Sequence, residues 1–488
     1  MKSKRTFYLL LTALFILLFI PNLIKKGMFV DGLWYATISN NMADGIGSFW
    51  SPCLTRTMYP QFFEHPPLVF GIQSTFFKLF GNSLYVEKIY AFFIICITLT
   101  LIIILWRLLF RDRPELKSFA FVPGILWIIH DTTYLYYPNN LLECTQGVFI
   151  LISVILILKG IQDANKRSYL YMFLAGISLI LSFLSKGFTG LYPLMAIIIY
   201  YLIFKTIPFK RMALYNVVLL VGFSFIFLLL LLNKNAATDI INYVNTQVIA
   251  ALKGHRTENM QTSRFHILLM LFETSLLPLT LVVITTLISY FKHSERNIFK
   301  YKKEFLFFLI LGLSGVLPMM VSKKQGTYYL LTVTPYISVA LSLILIRSEK
   351  IINNLSESRL FRNLTFIVLM LAIIYPFFSI NKINKRDRAI LHDMKKFDTI
   401  IKENSTMGCI TKNNDITLYG YFMRLYTISV DTIHPYNYSL LVSDKATLID
   451  TSMYYSFDLE TEKFDLYRKK QTKNLSDTND IETEINIP

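Results

Sequence analysis

The chain has 488 residues, of which 54% are apolar, 15% aromatic and only 17% charged, with 49 basic and 32 acidic residues leaving a net charge of +17. Globular domains carry about a quarter charged residues, so this composition excludes an ordinary water-soluble domain, a disordered chain and a fibrous repeat. Four scattered cysteines, Cys53, Cys96, Cys144 and Cys409, provide neither a disulfide framework nor a paired Cys-x-x-Cys metal site.

The first apolar run, residues 7–24, follows Lys2, Lys4 and Arg5 and ends at Pro21-Asn22-Leu23-Ile24-Lys25-Lys26. It lacks a small-x-small cleavage site, which predicts an uncleaved first span rather than a signal peptide. Further runs lie at about 89–109, 119–137, 141–158, 168–185, 188–204, 212–232, 266–291, 304–321, 327–346 and 364–380. Many are near the roughly 20 residues that cross a bilayer. The expectation is an all-α polytopic membrane domain of about eleven transmembrane helices over residues 1–380.

Orientation follows from Lys and Arg counts in short loops. Segments 1–6, 107–118, 159–167, 205–211, 292–303 and 347–363 hold 22 of them, against 12 on the opposite side, although the opposite loops contain more residues. This predicts a cytoplasmic N-terminus and, with an odd number of spans, an outer tail. Residues 381–488 are polar, and stretches such as 406–410, 416–419 and 446–449 resemble strands bounded by turn residues. A small extracytoplasmic α/β or α+β domain fits. Up to residue 380 the chain has 34 basic and 16 acidic residues, whereas the tail has 15 and 16. The positive excess therefore belongs to the membrane part, where it reads as topology and a phosphate site rather than as a nucleic-acid surface.

Two outer loops, 25–88 and 233–264, are far longer than a reversal of direction needs, and long loops without regular structure are usually functional. The first holds Asp31-Gly32-Leu33-Trp34-Tyr35-Ala36, close to the end of span one, and then Glu64-His65-Pro66-Pro67-Leu68. The prolines stiffen the backbone carrying Glu64 and His65, so this carboxylate and imidazole form either a holder for a metal or phosphate or simply a rigid turn. An amphipathic stretch with Phe76, Phe77, Leu79 and Phe80 reads as an interfacial helix. The second loop carries Gln247, Lys253-Gly254-His255-Arg256, Arg264 and His266. Asn140 with Glu143, and Glu273, lie near outer span ends, where a carboxylate is either functional or partly hydrated.

Together the residues Asp31-x-x-x-Tyr35-Ala36, Trp50-Ser51-Pro52 and Glu64-His65-Pro66-Pro67-Leu68 resemble the first outer loop of polyprenyl-phosphate-sugar-dependent glycosyltransferases of the C-type fold. That superfamily includes the aminoarabinose transferases and protein O-mannosyltransferases. Leu184-Ser185-Lys186-Gly187 is similar to its Lys-Gly element, and Ser322-Lys323-Lys324-Gln325-Gly326-Thr327-Tyr328-Tyr329-Leu330-Leu331 to its Ser-Lys-x-x-x-Tyr-Leu-Leu-Pro segment.

The resemblance implies sugar transfer from a polyprenyl-phosphate donor to a lipid, glycan or protein hydroxyl on the outer face of a bacterial inner membrane. Asp31 matches the acidic position proposed as general base or acceptor-orienting group, and Glu64 a carboxylate able to bind a divalent metal such as Zn, Mg or Mn. Tyr35 matches a hydroxyl near the donor phosphate, and His65 stands where aminoarabinose transferases have Lys. The family's metal-binding His in loop two falls on Gln247 or His255. Arg256, Lys186, Lys323 and Lys324 are the expected phosphate-binding cations, since guanidinium and ammonium groups complement phosphate oxygens. The rival reading is a transporter or flippase of a lipid-linked sugar. Transporters concentrate polar groups at the bilayer midplane, often in repeated halves, whereas here acids and bases collect in outer loops and no internal repeat is apparent.

Overall fold

The protein was analysed as a computed structural model that describes residues 4–163, 165–250, 253, 263–293, 300–321, 325–383, 385–412 and 415–470. The chain packs as two units, Met1–Leu54 with Tyr59–Asp387, and Thr55–Met58 with Arg388–Pro488.

The first unit is helical. Among the described residues seven helices are long and apolar enough to span a bilayer: Arg5–Leu23, Val86–Leu109, Leu142–Asp163, Arg167–Lys186, Phe209–Leu231, Lys302–Val321 and Arg359–Phe378. His266–Thr274 and Leu276–Phe291, bent by 57° at Ser275, qualify as an eighth if they count as one span. Three expected spans are broken instead. Residues 121–136 fold as Phe121–Ile128 and Asp131–Tyr136, interrupted at the polar pair His130-Asp131. Phe188–Met195 is a tight 3₁₀ stretch containing Pro193 before Ala196–Phe204, and Thr327–Thr332 is another before Thr334–Leu345. Each interruption coincides with a proline or a polar pair, residues that withhold a helical N–H or compete for it.

Burial separates the inner helices from the lipid-facing ones. Leu142–Asp163 has 72% of its apolar window enclosed, whereas Phe209–Leu231 and Arg359–Phe378 have 17%. A helix apolar all round and exposed to this extent is one solvated by lipid. Helices Arg167–Lys186 and Phe209–Leu231 cross in direct backbone contact: a Cβ on Gly176 would lie 2.1 Å from the Leu219 carbonyl oxygen, and one on Gly222 2.2 Å from that of Phe173. Small residues at such crossings replace the hydrophobic drive that lipid abolishes.

Loop one is ordered. It contains helix Val30–Ala43, which the sequence reading missed, a short hairpin of β1 (Gly47–Ser48) and β2 (Ser51–Pro52), and helix Leu68–Phe80, which lies where the interfacial helix is expected.

The second unit is a five-stranded mixed sheet in the order β4-β3-β5-β7-β6, formed by β3 (Thr406–Ile410), β4 (Ser429–Asp431), β5 (Leu440–Asp444), β6 (Tyr454–Ser456) and β7 (Phe464–Lys469). Strand β3 pairs in parallel with β4 and β5, and β7 runs antiparallel to β5 and β6. Residues 416–419, expected as strand, open helix Ile416–Tyr426. The Asp415 carboxylate caps that helix at the Leu418 N–H, and every residue from Leu418 to Arg424 is buried, so the helix is enclosed over nearly two turns. Residues 446–449 are not a strand either, since Leu448 is 99% exposed and lies in the connection after β5. Helix Arg388–Phe397 brings Asp393, fully buried, to accept the N–H groups of Glu462, Lys463 and Phe464 at 2.6–2.8 Å. Within this unit the Arg56 N–H donates to Ser429 Oγ and the Thr57 hydroxyl to the Val430 carbonyl, so Thr55–Met58 lies along β4.

Candidate active site

Asp31 is placed by the turn before helix Leu142–Asp163. Helix Val30–Ala43 starts at Val30, and the Asn139 side chain accepts the Phe29 N–H at 3.0 Å while Asn140 Nδ2 donates to the Gly32 carbonyl at 3.2 Å. A Cβ on Gly32 would stand 1.8 Å from the Asn139 carbonyl oxygen, so only glycine allows this approach beside Asp31. Asn140 adopts a left-handed conformation and shares its amide with Gln73, whose carbonyl oxygen also accepts from Ser39. This buried network makes Asn140 a clamp on the loop-one helices.

Tyr35 stands one helical turn after Asp31, on the same face. It is buried, with its ring 5.6 Å from that of His65 and 5.8 Å from Phe70. Burial, then the charges of Asp31 and Glu143, the Tyr328 phenol and the Glu64 carboxylate, push the Tyr35 phenol well above its ordinary range. The hydroxyl is therefore a fixed neutral donor. His65 is followed by buried Pro66 and Pro67, the latter capping helix Leu68–Phe80. The Thr246 hydroxyl donates to the Phe63 carbonyl at 3.3 Å, which brings loop two, with Gln247 next in sequence, alongside Glu64.

Glu143 and Lys186 come from the ends of two neighbouring enclosed helices, Leu142–Asp163 and Arg167–Lys186, and form an ion pair with both side chains buried. Lys186 Nζ also lies 5.5 Å and 5.2 Å from the centres of the Tyr328 and Tyr329 rings, within cation–π range. Tyr243 reaches across from helix Lys234–Tyr243 to the Lys186 carbonyl. Asp31, Tyr35, Glu143, Lys186 and Tyr328 thus act on one another electrostatically, although they are drawn from four separate stretches of chain. Tyr328 and Tyr329 join this group without a role expected from the sequence; their signal there is an aromatic pair beside a run of cations.

Other candidates fall elsewhere. Glu273 is exposed on His266–Thr274, and its charge is felt by Asp131 rather than by this cluster. His255, Arg256, Lys323 and Lys324 lie outside the described residues. Among the described residues no three His, Cys, Asp or Glu side chains come together.

Residues 64–232 match the family model of dolichyl-phosphate-mannose-protein mannosyltransferases, a stretch that includes Glu64, His65, Glu143 and Lys186. No curated protein sequence matches the chain. Among solved structures, ArnT from Cupriavidus metallidurans bound to undecaprenyl phosphate superposes with a TM-score of 0.64 at 13% identity, covering 94% of this chain and 97% of that one. The apo form of the same protein gives the same score at 14% identity, with the same coverage. The archaeal oligosaccharyltransferase AglB from Archaeoglobus fulgidus, in complex with an inhibitory peptide and a dolichol-phosphate, gives 0.52 at 14% identity over 90% of this chain and 69% of that one. The chain therefore has the fold of ArnT and AglB, and its residues 64–232 match the mannosyltransferase family model.

Proposed function

We propose that the protein transfers a sugar from a polyprenyl-phosphate donor to an acceptor hydroxyl on the outer face of a bacterial inner membrane. The observation that carries this reading is the grouping of Asp31 and Tyr35 with the Glu143–Lys186 pair and the Tyr328-Tyr329 rings. The loop charges support a cytoplasmic N-terminus, which puts this group and the second unit outside.

The acceptor oxygen attacks the anomeric carbon, the bond from that carbon to the phosphate oxygen breaks, and the acceptor proton passes to the Asp31 carboxylate. Polyprenyl phosphate leaves with its charge increased. Cations stabilise that charge when they favour the transition state over the bound donor. Lys186 serves here, held ready by Glu143, with Arg256, Lys323 and Lys324 as further cations. Tyr35 donates a hydrogen bond to the phosphate, and His65 packs against its ring. A divalent ion on Glu64 and His65 would need a further ligand such as His255.

The test is transfer from a synthetic polyprenyl-phosphate sugar by the protein in lipid nanodiscs, followed by mass spectrometry of acceptor glycolipids. Asp31→Asn should lower turnover by roughly 100-fold to 10,000-fold, the usual contribution of a general base, while inserting normally. Wild-type turnover by this variant excludes Asp31 as the base. A single displacement inverts the anomeric centre, and a retained configuration in the product refutes the mechanism. Movement of the lipid-linked sugar across the bilayer without transfer favours a flippase.

A further inference from the structure

The second unit contains a cavity of about 540 Å³, lined by residues at the carboxyl ends of β3 and β4. Sites for small molecules are typically 300–1,000 Å³. The chain leaves β3 through helix Ile416–Tyr426 to β4 on one side and returns to β5 on the other, and the connection after β4 closes the cavity over the end of β3.

The chemistry of the lining identifies the ligand class. Tyr419 and Cys409, both 1% exposed, lie at the inner end, where the Tyr419 hydroxyl and Thr411 Oγ1 are 3.2 Å apart. Exposed His434, Tyr436 and Asn437 form the rim, and Tyr436 is 48% exposed. Gly408 makes the rim's approach possible, since a Cβ there would lie 1.9 Å from the Pro435 carbonyl oxygen.

Several backbone donors around this cavity are already taken. The N-terminus of helix Ile416–Tyr426, which in dinucleotide-binding sheets receives phosphate, is already capped by the Asp415 carboxylate, which also pairs with Lys463. Segment 411–415 contains no glycine. The N–H groups of Ile433 and His434 are taken by Asp431, and that of Lys412 by Asp444. Hydrogen bonds from the His434 N–H, the Tyr438 hydroxyl and the Ile433 N–H hold Asp431 below the ordinary carboxylate range despite slight burial, so its negative charge stands beside the rim. Burial pushes the Cys409 thiol up to about 12 and keeps it neutral.

The lining offers hydroxyls, an amide, an imidazole and aromatic faces, beside the aliphatic side chains of Ile410, Ile433 and Pro435. Hydroxyls and amides both donate and accept, as sugar hydroxyls require, and the positively polarised C–H face of a pyranose complements the negative face of an aromatic ring. We infer that this cavity is a binding site for an uncharged sugar residue, separate from the transfer chemistry. If the transfer reading holds, that sugar belongs to a glycan acceptor, but binding is measured without turnover and stands or falls independently.

The experiment is saturation-transfer difference NMR on the full chain in nanodiscs, with methyl glycosides of glucose, galactose, mannose and N-acetylglucosamine. At least one glycoside should bind, Tyr436→Ala and Thr411→Val should each weaken it by about tenfold, equivalent to roughly 1.4 kcal/mol, and Asp31→Asn should leave it intact. Excess inorganic phosphate should not compete. The inference is overturned if none of the glycosides binds, if binding survives both cavity variants, if Asp31→Asn abolishes it, or if phosphate displaces the sugar.

Discussion

Lys186 forms its ion pair with Glu143 at the ends of two enclosed helices, with both side chains almost completely withdrawn from solvent. Removing one partner of such a pair leaves an uncompensated buried charge and typically costs about 3–5 kcal/mol, whereas replacing both by apolar groups is often neutral. Lys186→Met and Glu143→Leu should each lower the melting temperature in detergent, and the double variant should recover most of the loss. Transfer should not recover with it, because the double variant lacks the proposed phosphate cation. A double variant as active as the wild type assigns the pair to stability alone.

Gly32→Ala tests the placement of Asp31. The added methyl group meets the Asn139 carbonyl oxygen, so the start of the helix must shift. A displacement of about 1 Å can cost on the order of 100-fold in rate. The expected result is a drop in kcat of at least about tenfold in a protein that still inserts, read from initial rates with a polyprenyl-phosphate sugar. An unchanged kcat means that the Asp31 position is not critical.

Asp239 provides a pH signature. It is 1% exposed on helix Lys234–Tyr243, neither carboxylate oxygen has a hydrogen-bond partner among the described residues, and burial raises its pKa to about 7. The folded protein therefore holds a proton that the unfolded chain, with an ordinary Asp pKa near 3.9, has released over that interval. Stability should fall as pH rises from about 4 to 7 and level off above. Asp239→Asn should flatten that part of the profile and melt a few degrees higher at pH 8. The measurement is thermal unfolding of both proteins across that range, and parallel profiles contradict the assignment.

Asp393 is the corresponding test in the second unit. Its carboxylate accepts three backbone N–H groups, and Asp393→Ala leaves all three without this acceptor, that of Phe464 inside the fold. Each unsatisfied buried group costs about 1–3 kcal/mol. The expected outcome is unfolding of the second unit at distinctly lower temperature, followed by proteolysis within residues 388–470. Proteolytic resistance equal to the wild type is the contrary result.

The legibility of the chain varied with the kind of signal. Long uniform helices such as Val86–Leu109 announce themselves by hydropathy, because spanning lipid requires an unbroken apolar run. Broken ones such as Thr327–Thr332 with Thr334–Leu345 carry the same hydropathy but obey local backbone chemistry, which composition averages away. The helix carrying Asp31 and Tyr35 has no amphipathic pattern because it is enclosed on most sides, so periodicity could not find it. Residues 416–419 looked like a strand over four positions and are a helix over eleven, a difference visible only once the Asp415 cap is weighed with the apolar spacing beyond it. Asp31, Tyr35, Glu143 and Lys186 were singled out one by one by motif and by position near span ends. Their mutual approach depends on long-range packing that spacing along a chain does not encode.

Strand β4 is an edge strand, and its partners along the open side are encoded 373 residues upstream, where Arg56 and Thr57 satisfy Ser429 and Val430. Exposed edges invite pairing with other chains. A gene fragment starting at residue 388 would leave this edge bare, and exchanging tails between related enzymes would separate it from the residues that cover it. The tail sheet is therefore complete only with Thr55–Met58, a four-residue piece of loop one.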